Sequence, residues 1–284
     1  MRPWYKPPMP SEADSTEREY VLGTHDAEVE RLRFQHRIWR DEVGRAWSAA
    51  GIGPGSRVVD VGAGPGFASI DLAGLVGPSG EVLAVERSRR FLDILSAESR
   101  RLGLRTVRTH EIDLMLAEIP TKGADAAWCR WVACFVPDPA LLVDRIACCL
   151  RSGGIAVFHE YVEYESYRLI PPRPEVESFV EAVFESWRAE GGEPNIAREL
   201  PRLLSARGFR IESVRAIVRT ALPAEELWSW PAGFARINAR RLAETGRRDA
   251  RWADGVVNAI DDAERDPSSV FITPTVLEII ASAP

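Results

Sequence analysis

The sequence has few cysteines, and none of them shows the spacing of a structural metal site. The four are Cys129, Cys134, Cys148 and Cys149. They form no CxxC pair and no histidine follows at ligand spacing, which argues against zinc. Because their neighbours are apolar, we interpret them as reduced, buried thiols of a protein in a reducing compartment, and we expect no bound metal.

Long apolar runs are also missing. No stretch reaches the ~20 apolar residues that cross a bilayer, and residues 1–10 lack the apolar core of a signal peptide. We therefore expect a soluble cytoplasmic protein without a membrane partner. Because 36 basic residues stand against 42 acidic ones, the net charge of −6 repels a phosphate backbone, and we expect no nucleic-acid partner.

The composition that remains is that of a folded α/β protein. Its 284 residues, 45% hydrophobic and 27% charged, suffice for two domains or for one large α/β domain with additions. Short β-branched runs alternate with helical patterns, which predicts parallel strands covered by helices on both faces. The predicted strands are 57–61, 81–86, 105–111, 124–131, 155–161, 209–221 and 270–281, and the predicted helices are 26–47, 67–76, 88–102, 138–150, 175–190, 196–207 and two within 224–264.

These elements suggest four segments. We expect an N-terminal arm and helical lid over residues 1–50, a core over 51–223, a helical cap over 224–266, and a final strand over 267–284 that returns to the core. The helical insertion between two final strands is the simplest account of the pattern. We expect a monomer or a homodimer.

A glycine turn between a predicted strand and a predicted helix is the most informative segment. Residues 58–67 read VVDVGAGPGF. Because glycine has no Cβ atom, such a turn lets the backbone lie against a ligand at the carboxyl edge of the sheet. A dinucleotide fingerprint needs its third glycine at position 67, where Phe67 stands, and the glycines fall instead at 62, 64 and 66. The spacing therefore disfavours NAD.

Residues 60–66 resemble the first motif of the class I S-adenosylmethionine-dependent methyltransferases, a strand ending in an acidic residue followed by GxGxG. Residues 150–154, LRSGG, resemble the family's LxPGG turn, although Ser152 replaces the usual proline. The resemblance covers residues 51–161. It implies a Rossmann-like seven-stranded sheet of order 3-2-1-4-5-7-6, S-adenosyl-L-methionine as cofactor, S-adenosyl-L-homocysteine as product, and an N-terminal helical lid with a helical insertion before the last strand.

The resemblance also implies a role for two further acids. Glu86 would hold both ribose hydroxyls, and Asp113, with Glu111 as a competitor, would receive the adenine amino group. Asp60, Glu86 and Asp113 lie 26 and 27 residues apart, one βα unit each, and so share one sheet edge. The alternatives are a helix-terminus partner for Asp60 and a solvated strand end for Glu86. The candidate cofactor-binding residues are Tyr20, Gln35, Asp60, Gly62, Ala63, Gly64, Gly66, Glu86, Arg87, Asp113, Leu114, Arg130 and Trp131.

Two segments of the sequence carry candidate residues for the methionine end of the cofactor. Residues 20–35 resemble a YxLG…E..RL..Q segment of some of these methyltransferases, in which Tyr20 and Gln35 would contact that end; a capping turn and a solvated helix face are the alternative. Arg130 is placed to meet the cofactor carboxylate or a substrate, and Trp131 offers a π face to a sulfonium. Core packing with a snorkelling guanidinium is the alternative for both.

The candidate catalytic residues are His159, Glu160 and His25. His159 is the first choice for a base, because it ends the fifth strand and imidazole titrates near neutral pH. On alternation only one of His159 and Glu160 can point into the site. His25 lies near the proposed lid, whereas His36 falls in an apolar helix stripe and is interpreted as a core histidine.

The remaining aromatic residues suggest the acceptor. Those expected to build an enclosed apolar pocket are Trp39, Tyr164, Tyr167, Trp187, Trp228, Trp230 and Phe234. We therefore expect methyl transfer to a small molecule, aromatic or terpenoid-like, in secondary metabolism. The alternatives are a methyltransferase acting on protein or tRNA, an NAD-type oxidoreductase, and a catalytically inactive protein that binds the same cofactor.

Overall fold

The computed structural model describes residues 26–284, and its framework is a pair of β-sheets. In chain order the strands are β1 (Arg57–Val61), β2 (Glu81–Glu86), β3 (Val107–Glu111), β4 (Ala124–Arg130), β5 (Leu150–Glu163), β6 (Arg168–Ile170), β7 (Arg210–Ile217), β8 (Thr220–Ala221), β9 (Val270–Ile272) and β10 (Thr275–Ser282). The larger sheet has the order β3-β2-β1-β4-β5-β10-β7. Since β7 and β10 are its sixth and seventh strands along the chain, the predicted Rossmann-like order 3-2-1-4-5-7-6 is confirmed.

Eight α-helices accompany these strands within residues 26–284. They are α1 (Asp26–Ala49), α2 (Phe67–Val76), α3 (Arg89–Leu102), α4 (Pro139–Cys149), α5 (Pro174–Ala189), α6 (Leu200–Ser205), α7 (Ser229–Glu244) and α8 (Ala250–Arg265). The start of α3 follows from Ser88, whose hydroxyl accepts the Phe91 N–H, and its end from Gly103 in a left-handed conformation, φ 67°. The capping hydroxyl of Ser88 and the left-handed Gly103 thus set the two ends of α3.

The centre of the larger sheet is buried on both faces. Strand β1 pairs in parallel with β2 and β4, and the residues from Val58 to Val61 are all buried. Such continuous burial requires cover on both sides of the sheet. Strand β10 runs antiparallel to both β5 and β7, so the sheet is mixed, and the carboxyl ends of β1 to β5 share one edge.

Several predicted elements differ in the structure. The predicted strands 209–221 and 270–281 are each divided, because β8 and β9 join β6 in a separate three-stranded sheet. Pro274 separates β9 from β10 and has no N–H for a ladder. The predicted helix 196–207 is a 3₁₀ turn followed by α6, which begins at Leu200 with Pro201 in its first turn. Cys148 is exposed, contrary to its interpretation as a buried thiol.

Over residues 26–284, none of the helices has both the length and the apolar character that crossing a bilayer demands.

Candidate active site

A cleft of about 720 Å³ opens at the carboxyl edge of the larger sheet. Eleven of the thirteen candidate cofactor residues line it: Gln35, Asp60, Gly62, Ala63, Gly64, Glu86, Arg87, Asp113, Leu114, Arg130 and Trp131. Of the other two, Gly66 does not line the cleft, and Tyr20 lies outside the described residues. The spacing of the acids therefore does bring Asp60, Glu86 and Asp113 to a common cavity.

The glycine turn leaves room for a ligand at one position in particular. Gly62, Gly64 and Gly66 all have left-handed backbones, with φ of 67°, 54° and 86°. A Cβ atom on Gly62 would collide with Val132 and one on Gly66 with Leu95, whereas one on Gly64 would meet nothing within 4 Å. Gly64 therefore presents bare backbone to the cleft. Gly66 lies outside the lining of the cleft and packs against Leu95 of α3, so its role in cofactor binding stays a prediction.

Glu86 ends β2 with its carboxylate turned to the glycine turn. Its Oε2 accepts the N–H of Gly64 at 2.9 Å, and its Oε1 accepts the N–H of Ser88 at 2.9 Å. Burial raises the pKa of this carboxyl above its ordinary value, against the effect of the two N–H donors. Each oxygen keeps a further lone pair for a hydroxyl donor.

Asp60 and Asp113 are held by neighbouring groups. Asp60 Oδ2 accepts the hydroxyl of Ser69 at 2.5 Å, and burial raises its pKa to about 6. Asp113 Oδ1 accepts the N–H of Met115 at 2.8 Å. Both carboxylates are thus oriented before any ligand arrives.

Arg130 enters the cleft from the end of β4. Its Nη2 donates to Nδ1 of His36 at 3.1 Å, and its guanidinium carbon lies 5.0 Å from the centroid of the Trp131 ring. Burial lowers its pKa to about 10. His36, interpreted from the sequence as a core histidine, therefore lines the cleft beside a cation.

The segment after β4 forms a wall of the cleft. Trp131 has a left-handed backbone, φ 52°, and its N–H donates to the carbonyl of His159 at 3.0 Å. A left-handed non-glycine residue is strained, and such strain is found mostly where function requires a particular side-chain direction. The Trp131 ring stacks with Tyr161 at 5.6 Å and with Trp230 at 5.9 Å between centroids.

Neither His159 nor Glu160 lines the cleft. His159 is fully buried, and its Nε2 lies 2.9 Å from Glu278 Oε2, on the neighbouring strand β10. The Glu160 carboxylate accepts the N–H groups of Val132, Ala133 and Cys134 at 2.7, 2.8 and 3.3 Å. Both side chains are thus occupied within the fold, and His25 lies outside the described residues.

Beyond Trp131 the cleft is lined by aromatic residues. Five of the seven predicted for an acceptor pocket are there: Tyr164, Tyr167, Trp187, Trp230 and Phe234. The other two, Trp39 and Trp228, are fully buried and belong to the core. Sequence reasoning did not separate the two groups, since both occur at helical or strand spacing.

The lining also includes Arg31 of α1, which the sequence analysis did not assign to the cleft, beside the predicted Gln35. Arg31 forms two hydrogen bonds to Glu28 and donates to Gln35 Oε1, which also accepts the indole N–H of Trp230 at 3.0 Å. The sequence feature that could have revealed this contact is the spacing of Arg31 and Gln35, which lie one helical turn apart on the same face of α1. This network joins α1 to α7 across the cleft.

Comparisons with known proteins agree with this geometry. Residues 59–158 match the family model described as a methyltransferase domain. The chain is 26% identical over 189 residues to the methyltransferase str2 of Strobilurus tenacellus, covering 66% of this chain and 65% of that protein. It is 30% identical over 141 residues to the 2-phytyl-1,4-naphtoquinone methyltransferase of Synechococcus elongatus, covering 48% and 58%. The chain thus spans 58 to 65% of the length of these curated relatives.

Among solved structures the cyclase SpnF is similar, with a TM-score of 0.56 and 18% identity, covering 86% of this chain and 80% of that one. At this identity the likeness concerns the fold alone, and a fold shared with a cyclase does not define a reaction. The chemistry has to be argued from the cleft.

Proposed function

We propose that the chain is a class I S-adenosylmethionine-dependent methyltransferase and that it transfers a methyl group from S-adenosyl-L-methionine to a small apolar molecule. One observation carries the proposal. A single cleft joins a polar half, built by the glycine turn, Glu86 and Asp113, to an aromatic half beyond Trp131. A cofactor in the first half and an acceptor in the second would meet at this boundary.

The polar half fits the cofactor. Glu86 would accept the ribose hydroxyls, because both of its oxygens are already oriented and each has a free lone pair. Asp113 would accept the adenine amino group, and Gly64 offers the open backbone against which a nucleoside can lie. When bound, the cofactor supplies a methyl group on a positively charged sulfur.

The aromatic half favours a small, flat, apolar acceptor. Tyr161, Tyr164 and Trp187 come from β5, the turn after it and α5, while Trp230 and Phe234 come from α7. Rings from separate elements give an enclosed apolar surface with few polar groups to set orientation. The naphthoquinone in the name of one relative supports a flat aromatic acceptor, and we propose that this acceptor belongs to secondary metabolism. We assign the helices of 224–266 to this pocket as its cap.

We propose that the chain accelerates the transfer mainly by orientation. Holding an acceptor atom in line behind the methyl group supplies much of the rate of a displacement reaction. Since His159 and Glu160 are engaged away from the cleft, we replace their proposed catalytic roles with structural ones. We further propose a cytoplasmic monomer or homodimer that uses neither nucleic acid nor membrane.

The test is calorimetric titration with S-adenosyl-L-homocysteine, with NAD titrated in parallel. We expect binding of the first only, and we expect Glu86→Ala to weaken it about tenfold or more through loss of charged hydrogen bonds. Glu118→Ala, at an exposed position outside the cleft lining, is the matched control and should change the affinity less than about twofold. An unchanged affinity in Glu86→Ala would remove the ribose assignment.

Turnover is tested separately with a methyl-labelled cofactor. Transfer to flat apolar compounds is expected, and transfer only to protein or tRNA would contradict the acceptor class. Tight binding of S-adenosyl-L-homocysteine without transfer to any acceptor would leave the catalytically inactive alternative.

A further inference from the structure

The guanidinium of Arg130 is a cation at the cleft wall that forms no hydrogen bond or ion pair with a carboxylate among residues 26–284. Its only hydrogen-bond partner there is Nδ1 of His36, and its Nη1 is enclosed with none. The guanidinium lies over the rings of Trp131 and Trp128, at 5.0 and 5.8 Å. Removing a cation from water is costly unless an anion compensates it, so this position suits an anionic ligand.

Asp60 supplies the complementary charge beside it. On adjacent strands Asp60 is paired with Trp128, two residues before Arg130, and both Asp60 and Arg130 line the cleft. Ser69 occupies Asp60 Oδ2, and no ion pair joins Asp60 to Arg130 within the described chain. Burial raises the pKa of Asp60 and lowers that of Arg130, so both would gain from a ligand that carries an ammonium and a carboxylate.

We propose that Arg130 binds the α-carboxylate of the methionyl end of the cofactor and that His36, held by Asp71, positions the guanidinium for it. This inference rests on the proposed function, because the only zwitterion which that function brings to the cleft is the amino-acid end of the cofactor. Arg130 would be a binding residue and His36 a positioning residue.

The hydrogen bonds of His36 support its role. Since a guanidinium can only donate, Nδ1 of His36 must accept from Arg130, and Nε2 must carry the hydrogen. Nε2 donates to Asp71 Oδ2 at 3.1 Å, and Asp71 also accepts from Arg40 Nε and Nη2 at 2.9 and 3.1 Å. Burial lowers the pKa of His36, which keeps the ring neutral and able to accept. One tautomer is therefore selected, and with it one direction for Arg130.

Among residues 26–284, the aromatic half of the cleft offers no comparable cation. Arg31 lines it, but its guanidinium is bonded twice to Glu28 and once to Gln35. An anionic group of the acceptor therefore has less to gain there than the cofactor carboxylate has at Arg130. The competing possibility, that Arg130 serves an anionic acceptor, becomes an outcome of the test.

The experiment compares two probes by calorimetry: S-adenosyl-L-homocysteine, and 5′-methylthioadenosine, which has no amino-acid end. We expect Arg130→Gln to weaken binding of the first about 30-fold and of the second less than about twofold. Arg33→Gln, on an exposed face of α1, is the matched control. Should Arg130→Gln fail to fold, Arg130→Lys, which keeps the charge but loses the planar donor pair, should weaken only the first probe by about fivefold.

The role of His36 is tested by rescue. His36→Ala should raise the KM for the cofactor roughly fivefold with kcat changed less than about twofold, because a misdirected guanidinium affects binding of the carboxylate only. His36→Gln, whose amide can both accept from Arg130 and donate to Asp71, should restore most of the affinity.

Three results would overturn the inference. Equal weakening of both probes by Arg130→Gln would make Arg130 a structural residue, and a rise only in the KM for the acceptor would assign it to the acceptor. Equal defects in His36→Ala and His36→Gln would remove the positioning role. Failure of the wild-type protein to bind either probe is a different result, since it contradicts the proposed function itself.

Discussion

Glu160 offers a sharp test of how the wall of the cleft is held in place. Its carboxylate accepts three consecutive backbone N–H groups, those of Val132, Ala133 and Cys134. These residues follow Trp131 and form the start of a 3₁₀ turn at Ala133–Phe135. The side chain thus takes the place of the hydrogen-bond acceptors that the beginning of a helix lacks.

The expected loss of stability differs between two substitutions. Glu160→Ala leaves three enclosed N–H groups without a partner, and at about 1 kcal/mol or more for each we expect a loss of roughly 3 kcal/mol. In a chain of this size that corresponds to a fall in Tm of roughly 6 °C or more. Glu160→Gln retains the oxygen that accepts from Val132 and Ala133 and loses only the longer contact to Cys134, so we expect about 1 kcal/mol near pH 5.

The pH dependence of the Gln variant has a defined sign. Burial raises the pKa of Glu160 from 4.5 to about 7 in the folded protein. A raised carboxyl pKa adds stability that is fully present below pH 4.5 and is lost as pH rises through about 7, here on the order of 3 kcal/mol. Because glutamine does not titrate, the advantage of wild type over Glu160→Gln should shrink as pH rises from 5 and should change sign by pH 8, where the Gln variant becomes the more stable protein.

The assay is urea unfolding of both proteins at the two pH values, with thermal unfolding for Glu160→Ala. Glu163→Gln is the control, since that residue is exposed at the end of the same strand and should change stability by less than about 0.5 kcal/mol. A wild-type advantage over Glu160→Gln that grows toward pH 8, or a Glu160→Ala protein as stable as wild type at pH 5, would refute this account of Glu160.

Two further predictions concern the glycine turn and the buried histidine. Gly66→Ala should lower the free energy of unfolding by roughly 2–4 kcal/mol, because its Cβ atom would collide with Leu95 and its backbone is left-handed. Gly64→Ala should cost only about 1 kcal/mol and should mainly weaken S-adenosyl-L-homocysteine binding. Equal unfolding free energies of the two variants would contradict this prediction. His159→Gln should lower the unfolding midpoint, since His159 bonds to Glu278, while kcat stays within about threefold. A kcat loss of about a hundredfold or more with an intact fold would restore His159 as a base.

The pattern of the sequence predicted the sheet well, and it did so from local features. The glycines at 62, 64 and 66 and the acids one βα unit apart are features of chain segments shorter than 30 residues. The periodicity of apolar residues and the absence of a Cβ atom affect the conformation of neighbouring residues only. They therefore predict the same local structure in any fold that contains the segment. That is why the strands and the glycine turn could be predicted, and why the acids could be expected to share one edge. The strand order was implied by the family resemblance.

The partners of individual side chains could not be predicted in this way. His159 met the sequence criteria for a base, but its partner Glu278 lies 119 residues away. His36 met the criteria for a core residue, but it contacts Arg130, 94 residues away, and lines the cleft. The sequence by itself determined the periodicity, the turn and the spacing of the acids, because those depend on backbone geometry over a few residues. Only the tertiary structure decided which polar group met which, because burial and pairing arise when distant strands and helices pack together.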